Sequence, residues 1–455
     1  MRKTLIRNAD AIITCDRDDR LLKGQDILVE GNKIAAIGEN LPAEGAQVID
    51  GKGRFVYPGL INTHHHLLQA FSRNIPAIQS SELFDWLMYL YSVWSNVNPD
   101  YIYYSSMVAM GEFIKFGGTT MFDHHFAFPR SSKKEIIDRQ FDAAEELGIR
   151  FHTGRGSFTR GKYKGGLPPE ELIETTDETL LDCERLIGKY HDPGEFSMRQ
   201  VALAPCSPFS VDTDVMVESV NLARRRGVRL HTHLCETMDE ERYCLEVYGK
   251  RPLDWVEECG FVGPDVWYAH GIHFTDEEVA RLAKTKTGVS HNPVSNMKLS
   301  SGVCKVPLML ELGVPVGLAL DGSGSNDASN LLNDIRISYL LHRLHSGNKA
   351  PTGYGILKLA TRGSAQLLGR SDIGCLEVGK AADLFMINVD ILDCVGAVMD
   401  PMSFLGTVGY TRPVELTMIN GKVVWKDGYL QGIDEDKIKQ AAKAEVKRVY
   451  DKIGS

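Results

Sequence analysis

Through its middle the chain alternates short apolar runs with longer stretches whose apolar residues recur every three or four positions. The first pattern predicts strands and the second predicts helices that bury one face. The runs end near His66, His125, Arg155, Pro205, Glu236, His270, Asn292 and Asp321, and stretches such as SSMVAMGEFIKFG and DVMVESVNLARRRG lie between them. Eight strand-then-helix units in succession predict a (β/α)8 TIM barrel. The two chain ends follow a different pattern. DILVEGNKIAAIG near the start and VELTMINGKVVWKDGYLQG near the end show period-two alternation around Gly31-Asn32, Asn420-Gly421 and Asp427-Gly428. Asn-Gly and Asp-Gly supply the positive φ values of tight hairpins. Residues 1–57 and 372–455 are therefore expected to pair into one small β-sandwich domain, with the barrel spanning 58–371. The helical spacing of 434–452, rich in charge, predicts an exposed C-terminal helix.

A chain of 455 residues has room for a large domain and a smaller one. Its net charge of −9 argues against nucleic acid as the main partner, and the basic run Arg224-Arg225-Arg226 fits a solvated helix end. Nine scattered cysteines without a CxxC pair point to reduced thiols and a cytoplasmic location. No run approaches the ~20 apolar residues that span a bilayer, and the N-terminus lacks the continuous apolar core of a signal peptide.

The ionisable residues gather at predicted strand ends, where barrels of this kind place their chemistry. In PGLINTHHH, His64 and His66 are two apart and share a face of an extended segment, so both imidazoles can reach one Zn²⁺; His65 points away. In LHTHLCE, His233 closes a strand and Glu236 follows in the loop, where a carboxylate can shuttle protons for an activated water. His231 shares the face of His233 and is read as a packed, hydrogen-bonded histidine. WYAHGI places His270 at a strand end, and GLALDGSGSND places Asp321 at another. Each alone is weak evidence; together they form a constellation.

With these motifs the sequence resembles the amidohydrolase superfamily, in the branch of cytosine, guanine and S-adenosylhomocysteine deaminases and triazine hydrolases. The resemblance covers nearly the whole chain. It implies that His64, His66, His233 and Asp321 ligate one divalent metal. It also implies that Glu236 shuttles protons and that His270, with Asp321, completes the catalytic set. Binuclear members carry a lysine at the fourth strand, where this chain has VALAPCSP. One metal is thus expected, zinc, with iron also compatible. The Cys235 exchange in His233-Leu234-Cys235-Glu236 touches no chemistry.

The stretches NTHHHLLQAFSRNIPAIQSSELFDWL, DHHFAFP, RFHTGRGS, GGLPP, APCSPFSV and SHNPVSNMKLSSG most resemble 8-oxoguanine deaminases, with isoxanthopterin deaminases and hydroxyatrazine ethylaminohydrolases as neighbours. This implies hydrolytic deamination of a flat heterocycle, 8-oxoguanine giving urate and ammonia, with guanine or isoxanthopterin as alternatives. For the pocket, Gln69 either pairs with a ring amide or is solvated, and Arg155 either binds a ring oxygen or forms a structural salt bridge. The backbone at Cys206 and His291 are further substrate contacts, and Trp86 with Phe84 forms a lid or packs in the core. A small-molecule partner and a homo-oligomer are expected. Two rival readings are a metal-free relative of the fold and a hydrolase that displaces chloride or opens cyclic amides; the missing bridging lysine disfavours the cyclic amide.

Overall fold

A computed structural model describes residues 2–132 and 135–454. Eight parallel strands form the central sheet in sequence order: β1 (Leu60–Asn62), β2 (Gly118–His125), β3 (Arg150–Ser157), β4 (Arg199–Pro205), β5 (Leu230–Leu234), β6 (Val266–His270), β7 (Gly288–His291) and β8 (Val316–Leu318). Helices follow the strands on the outside, so β2, β3, β5, β6 and β7 are buried along their whole length. The sheet closes between its first and last strands through individual hydrogen bonds. Thr63 Oγ1 donates to the Leu318 carbonyl (3.3 Å), Leu320 N–H to Asn62 Oδ1 (2.9 Å), and Asp321 N–H to the His64 carbonyl (3.1 Å). This is the expected (β/α)8 barrel.

The chain ends supply two further sheets. One has four strands, all from the N-terminal segment. The other has seven: Tyr429–Leu430, Lys422–Lys426, Leu416–Ile419 and Leu384–Asn388 from the C-terminal part continue into Arg54–Pro58, Ala11–Ile13 and Leu21–Leu22. Ile6, Ile27 and Val29 pack with Val56, Leu384 and Met418 in one apolar cluster between the sheets. The hairpins turn where the dipeptides predict, with φ of 49° and 75° at Asn420-Gly421 and 56° and 82° at Asp427-Gly428.

The C-terminal helix, Glu435–Ile453, departs from the expected exposed element. It buries Ala442 and Val449, lies against the helix Pro99–Lys115, and ties Tyr450 Oη to the Phe71 carbonyl (2.9 Å). Its few apolar residues recur on one face, and that face is covered. No helix among the described residues is long and apolar enough to cross a membrane.

Candidate metal centre and active site

The C-terminal mouth of the barrel gathers five imidazoles and two carboxylates. β1 stops at Asn62, so His64 and His66 lie beyond it rather than within it. The neighbouring strands nevertheless hold this segment: the His65 carbonyl accepts from His124 N–H (2.7 Å) and the His64 carbonyl from Asp321 N–H. Asp321 itself follows β8 by three residues, at φ 62°; His270 ends β6 at φ 73°, and Cys235 precedes Glu236 at φ 54°. Non-glycine residues seldom adopt this conformation, and such strain collects where a side chain must be aimed.

His64 Nε2 and His66 Nε2 lie 3.4 and 3.3 Å from Asp321 Oδ1, and His66 Nε2 lies 3.2 Å from His233 Nε2. His270 Nε2 faces Glu236 Oε2 at 3.5 Å and Asp321 Oδ2 at 4.0 Å. All six side chains are buried.

Hydrogen bonds on the outer ring nitrogens fix which nitrogen of each imidazole faces the centre. His66 Nδ1–H donates to the His124 carbonyl and His233 Nδ1–H to the Cys206 carbonyl, both at 2.7 Å. A carbonyl can only accept, so the Nε2 lone pair of each ring points inward. His64 is set one step further back. His231 donates Nδ1–H to the Trp267 carbonyl (2.8 Å), and burial pulls its pKa down to about 3, so it is neutral and its Nε2 accepts. His64 Nδ1–H then donates to that Nε2 (2.8 Å), leaving the Nε2 of His64 as an inward lone pair with no partner among the described residues. His270 Nδ1–H donates to Asn296 Oδ1 (2.9 Å), and its Nε2 is likewise unpartnered.

Three imidazole lone pairs and a carboxylate converging in a buried space are the donor set of a nitrogen- and oxygen-liganded divalent ion. Outer-shell hydrogen bonds of this kind orient metal ligands. His64, His270 and Asp321 form one group with ligand-capable atoms within 4.8 Å of one another, and His64, His124 and His233 form another. The residues fit a single divalent ion, and β4 brings no lysine to the mouth.

Electrostatics separates the two carboxylates. Burial works to raise the Asp321 pKa, but the adjacent His64 and His66 imidazoles hold it well below the ordinary carboxyl range. Ser295 Oγ donates to its Oδ2 (2.6 Å) and Gly322 N–H to its Oδ1 (2.6 Å). Burial, with the charges of Asp321 and Glu240, pushes Glu236 well above its ordinary value. The two acids are thus shifted in opposite directions, Asp321 toward the anion and Glu236 toward the neutral acid. Glu240 shapes the turn between them by accepting from the N–H groups of Cys235 (2.7 Å) and Glu236 (3.3 Å).

A narrow cavity of about 40 Å³ opens over these groups, walled by Trp86, Tyr91, Trp94, Phe126, Phe158 and Phe209. Gln69 lines it, with its Oε1 accepting from Gly324 N–H (3.2 Å), which turns the amide NH₂ away from that backbone. Gly322 and Gly324 are required here: a Cβ on either would stand 2.0 and 2.9 Å from Gln69 Oε1. Trp86 lines the same wall and Cys206 lines the floor, but the Cys206 backbone is already committed, its carbonyl to His233. Phe84 packs edge-on against Phe209.

Two residues expected at the substrate are not brought to the cavity. In β3 the inward positions are Gly154 and Gly156, whose Cβ atoms would strike Phe122 and His124, so Arg155 points outward. There its guanidinium lies 3.8 Å from the Phe128 ring centre, grips Glu174 with two hydrogen bonds (2.8 and 2.9 Å) and reaches Asp182 (3.0 Å). The structural salt bridge is the arrangement found. His291 alternates with the inward Ser290, which meets Thr63, and so faces outward to His342, Nε2 to Nε2 at 3.1 Å. His124, which the sequence pattern does not single out, also reaches the site: its ring stacks on His233 at 4.8 Å.

The sequence profile described as the amidohydrolase family matches residues 55–424. The chain belongs to the amidohydrolase family. As an amidohydrolase it is 43% identical over 464 residues to hydroxydechloroatrazine ethylaminohydrolase of Pseudomonas sp. strain ADP, covering 99% of this chain and 96% of that one. It is 42% identical over 436 residues to 8-oxoguanine deaminase of Pseudomonas aeruginosa, covering 95% and 96%. Its fold superposes at a TM-score of 0.94 on atrazine chlorohydrolase from Arthrobacter aurescens TC1 complexed with zinc, at 34% identity over 97% of this chain and 100% of that one.

Proposed function

We propose that this amidohydrolase is a metal-dependent deaminase of an aminated purine-like ring, 8-oxoguanine being the substrate favoured. One observation carries the reading: inward Nε2 lone pairs and Asp321 meet the Glu236 carboxyl, its pKa raised by burial, at the base of an aromatic-walled cavity. In this reading His64, His66, His233 and Asp321 hold the metal. Held by these residues, a divalent ion would supply Lewis acidity, lowering the pKa of water to about 7.

The chain's own residues do the remaining work. The aromatic walls hold a flat ring and exclude water. Trp86 and Trp94 both line the cavity and leave their indole N–H groups unpartnered, which suits a ring rich in carbonyl and imine acceptors. The Gln69 NH₂ adds a third donor. As a carboxylate, Glu236 takes one proton from the attacking water and delivers it to the ring nitrogen that gains electron density; it then takes the second proton, from the hydroxyl of the tetrahedral adduct, and delivers it to the leaving amine. His270, 3.5 Å from Glu236, holds the exchanging carboxyl in place. The C–N bond breaks, and ammonia and the oxo-ring leave.

A second reading, hydrolysis of an alkylamino group from a hydroxytriazine, is supported by the 43% identity to the ethylaminohydrolase. An amine-release panel on metal-replete protein separates the two, comparing 8-oxoguanine, guanine, isoxanthopterin, isocytosine and hydroxyatrazine. Ammonia from 8-oxoguanine at the highest kcat/KM supports the first reading; ethylamine from hydroxyatrazine at the highest value replaces it with the second. All nine cysteines are free, which suits the reducing compartment proposed for the protein.

A further inference from the structure

At the opposite, N-terminal end of the barrel lies a second cavity of about 200 Å³, walled by the first residues of β4 and the approach to β5. Its polar lining is His152, His191, Gln200 and Arg229, and among the described residues no Asp or Glu lines it. The hydrogen bonds determine what these side chains offer. Arg370 Nη1–H donates to His152 Nε2 (3.1 Å). An arginine can only donate, so this Nε2 accepts. Burial and the nearby charges of Arg370, Arg150, His191 and Arg229 hold His152 well below its ordinary pKa and therefore neutral. Its proton then sits on Nδ1, a donor with no partner among the described residues. His191 Nδ1 accepts from Val201 N–H (3.2 Å), which leaves Nε2–H as its donor.

Arg229 is the one cation in this lining among the described residues. Its guanidinium packs over Trp267 (5.9 Å) and gives one hydrogen bond, to the Pro264 carbonyl (2.7 Å), while its Nε–H is buried without a partner. Burial lowers its pKa; the charge of Asp265 offsets that cost only in part, and among the described residues no carboxylate forms an ion pair with Arg229. The carboxylates nearby are engaged elsewhere: Asp265 with Arg224 (3.0 Å), Asp372 with Arg370 (2.7 Å), and Asp192 as acceptor for Gly194 N–H (2.9 Å). A half-buried cation without a counter-ion, flanked by two further N–H donors, lacks an anion.

The geometry points to an oxyanion-binding site here: the cavity takes a phosphate or carboxylate, free or as the head group of a small molecule whose apolar body lies on Phe122 and Trp267. Arg229 Nε–H, His152 Nδ1–H and His191 Nε2–H donate to its oxygens, charge-assisted at Arg229. Nothing in this assignment depends on the deaminase reading.

Isothermal titration of the metal-replete full-length protein at constant ionic strength, with inorganic phosphate and separately with phenyl phosphate, tests the site. Saturable binding that weakens at least about tenfold in Arg229→Met, with metal content and circular dichroism unchanged, is expected. Arg229 lines this cavity and not the active-site cavity, so with metal content unchanged that loss separates this site from phosphate held at the active site. Should Arg229→Met fail to fold, His191→Leu, on a half-buried residue, must show the same weakening. Tighter binding of phenyl phosphate identifies a head group; equal binding identifies the free anion. Phosphate binding unchanged in a folded variant, or no saturable heat at millimolar phosphate, overturns the assignment.

Discussion

Replacing His231 by phenylalanine tests how the histidines proposed to bind the metal are aimed, at a residue that itself contributes no inward ligand atom. Phenylalanine preserves the stack on Trp267, now at 4.6 Å between ring centres, and the edge contact with Phe122. What disappears is the relay from the Trp267 carbonyl through His231 to His64, two hydrogen bonds of 2.8 Å each. His64 Nδ1–H then has no acceptor, and its proton is free to move to Nε2, where it blocks the inward lone pair. Loss of an outer-shell partner of this kind costs about 10–100-fold in metal affinity, or about 1.4–2.8 kcal/mol. The orphaned Trp267 carbonyl and His64 N–H cost folding stability of order 1–3 kcal/mol each. Zinc competition against a calibrated chelator reads the first quantity and urea unfolding of the metal-free protein reads the second. Wild-type zinc affinity in a folded His231→Phe protein would refute the relay, because His64 would then be aimed without it.

The Glu236→Gln variant should keep its metal while kcat falls by about 10²–10⁴, and near-normal turnover would remove Glu236 from the proton path. Glu240 has its pKa raised to about 7, chiefly by burial. A raised pKa means that its stabilising contribution is full below the unfolded value, near 4.5, and is lost as pH rises through 7. Glu240→Ala should therefore be most destabilising near pH 4.5 and progressively less so toward pH 8; a pH-independent difference in urea unfolding would contradict this. Arg155→Met should lower stability by about 3–5 kcal/mol, because it strips Glu174 of a buried bidentate partner, while KM stays put. A KM change without a stability change would return Arg155 to the substrate.

The barrel was legible because its strands are apolar throughout and its helices are not, and the hairpins because Asn-Gly and Asp-Gly admit few other turns. The residues at the mouth were legible because imidazoles and carboxylates have no bland reason to gather at strand ends. Orientation was harder to read. Arg155 and His291 sit at strand ends, yet their neighbours decide which way they face: the small Gly154 and Gly156, and the hydroxyl Ser290, are the inward residues. Strict alternation applied to RFHTGRGS would have turned Arg155 outward. His124 carried a similar signal, sharing a face with Phe122 in a wholly buried strand, but His125 beside it masked which of the pair points in. The C-terminal helix looked solvated because its apolar face is narrow, and a narrow face is enough when a groove on the barrel receives it.

Anomalous diffraction at the zinc edge from crystals of the metal-replete protein tests the account most directly. It predicts one peak per chain, within about 2.0–2.2 Å of the Nε2 atoms of His64, His66 and His233 and of an Asp321 carboxylate oxygen. Two peaks at the mouth, or a single peak away from these four side chains, would contradict it.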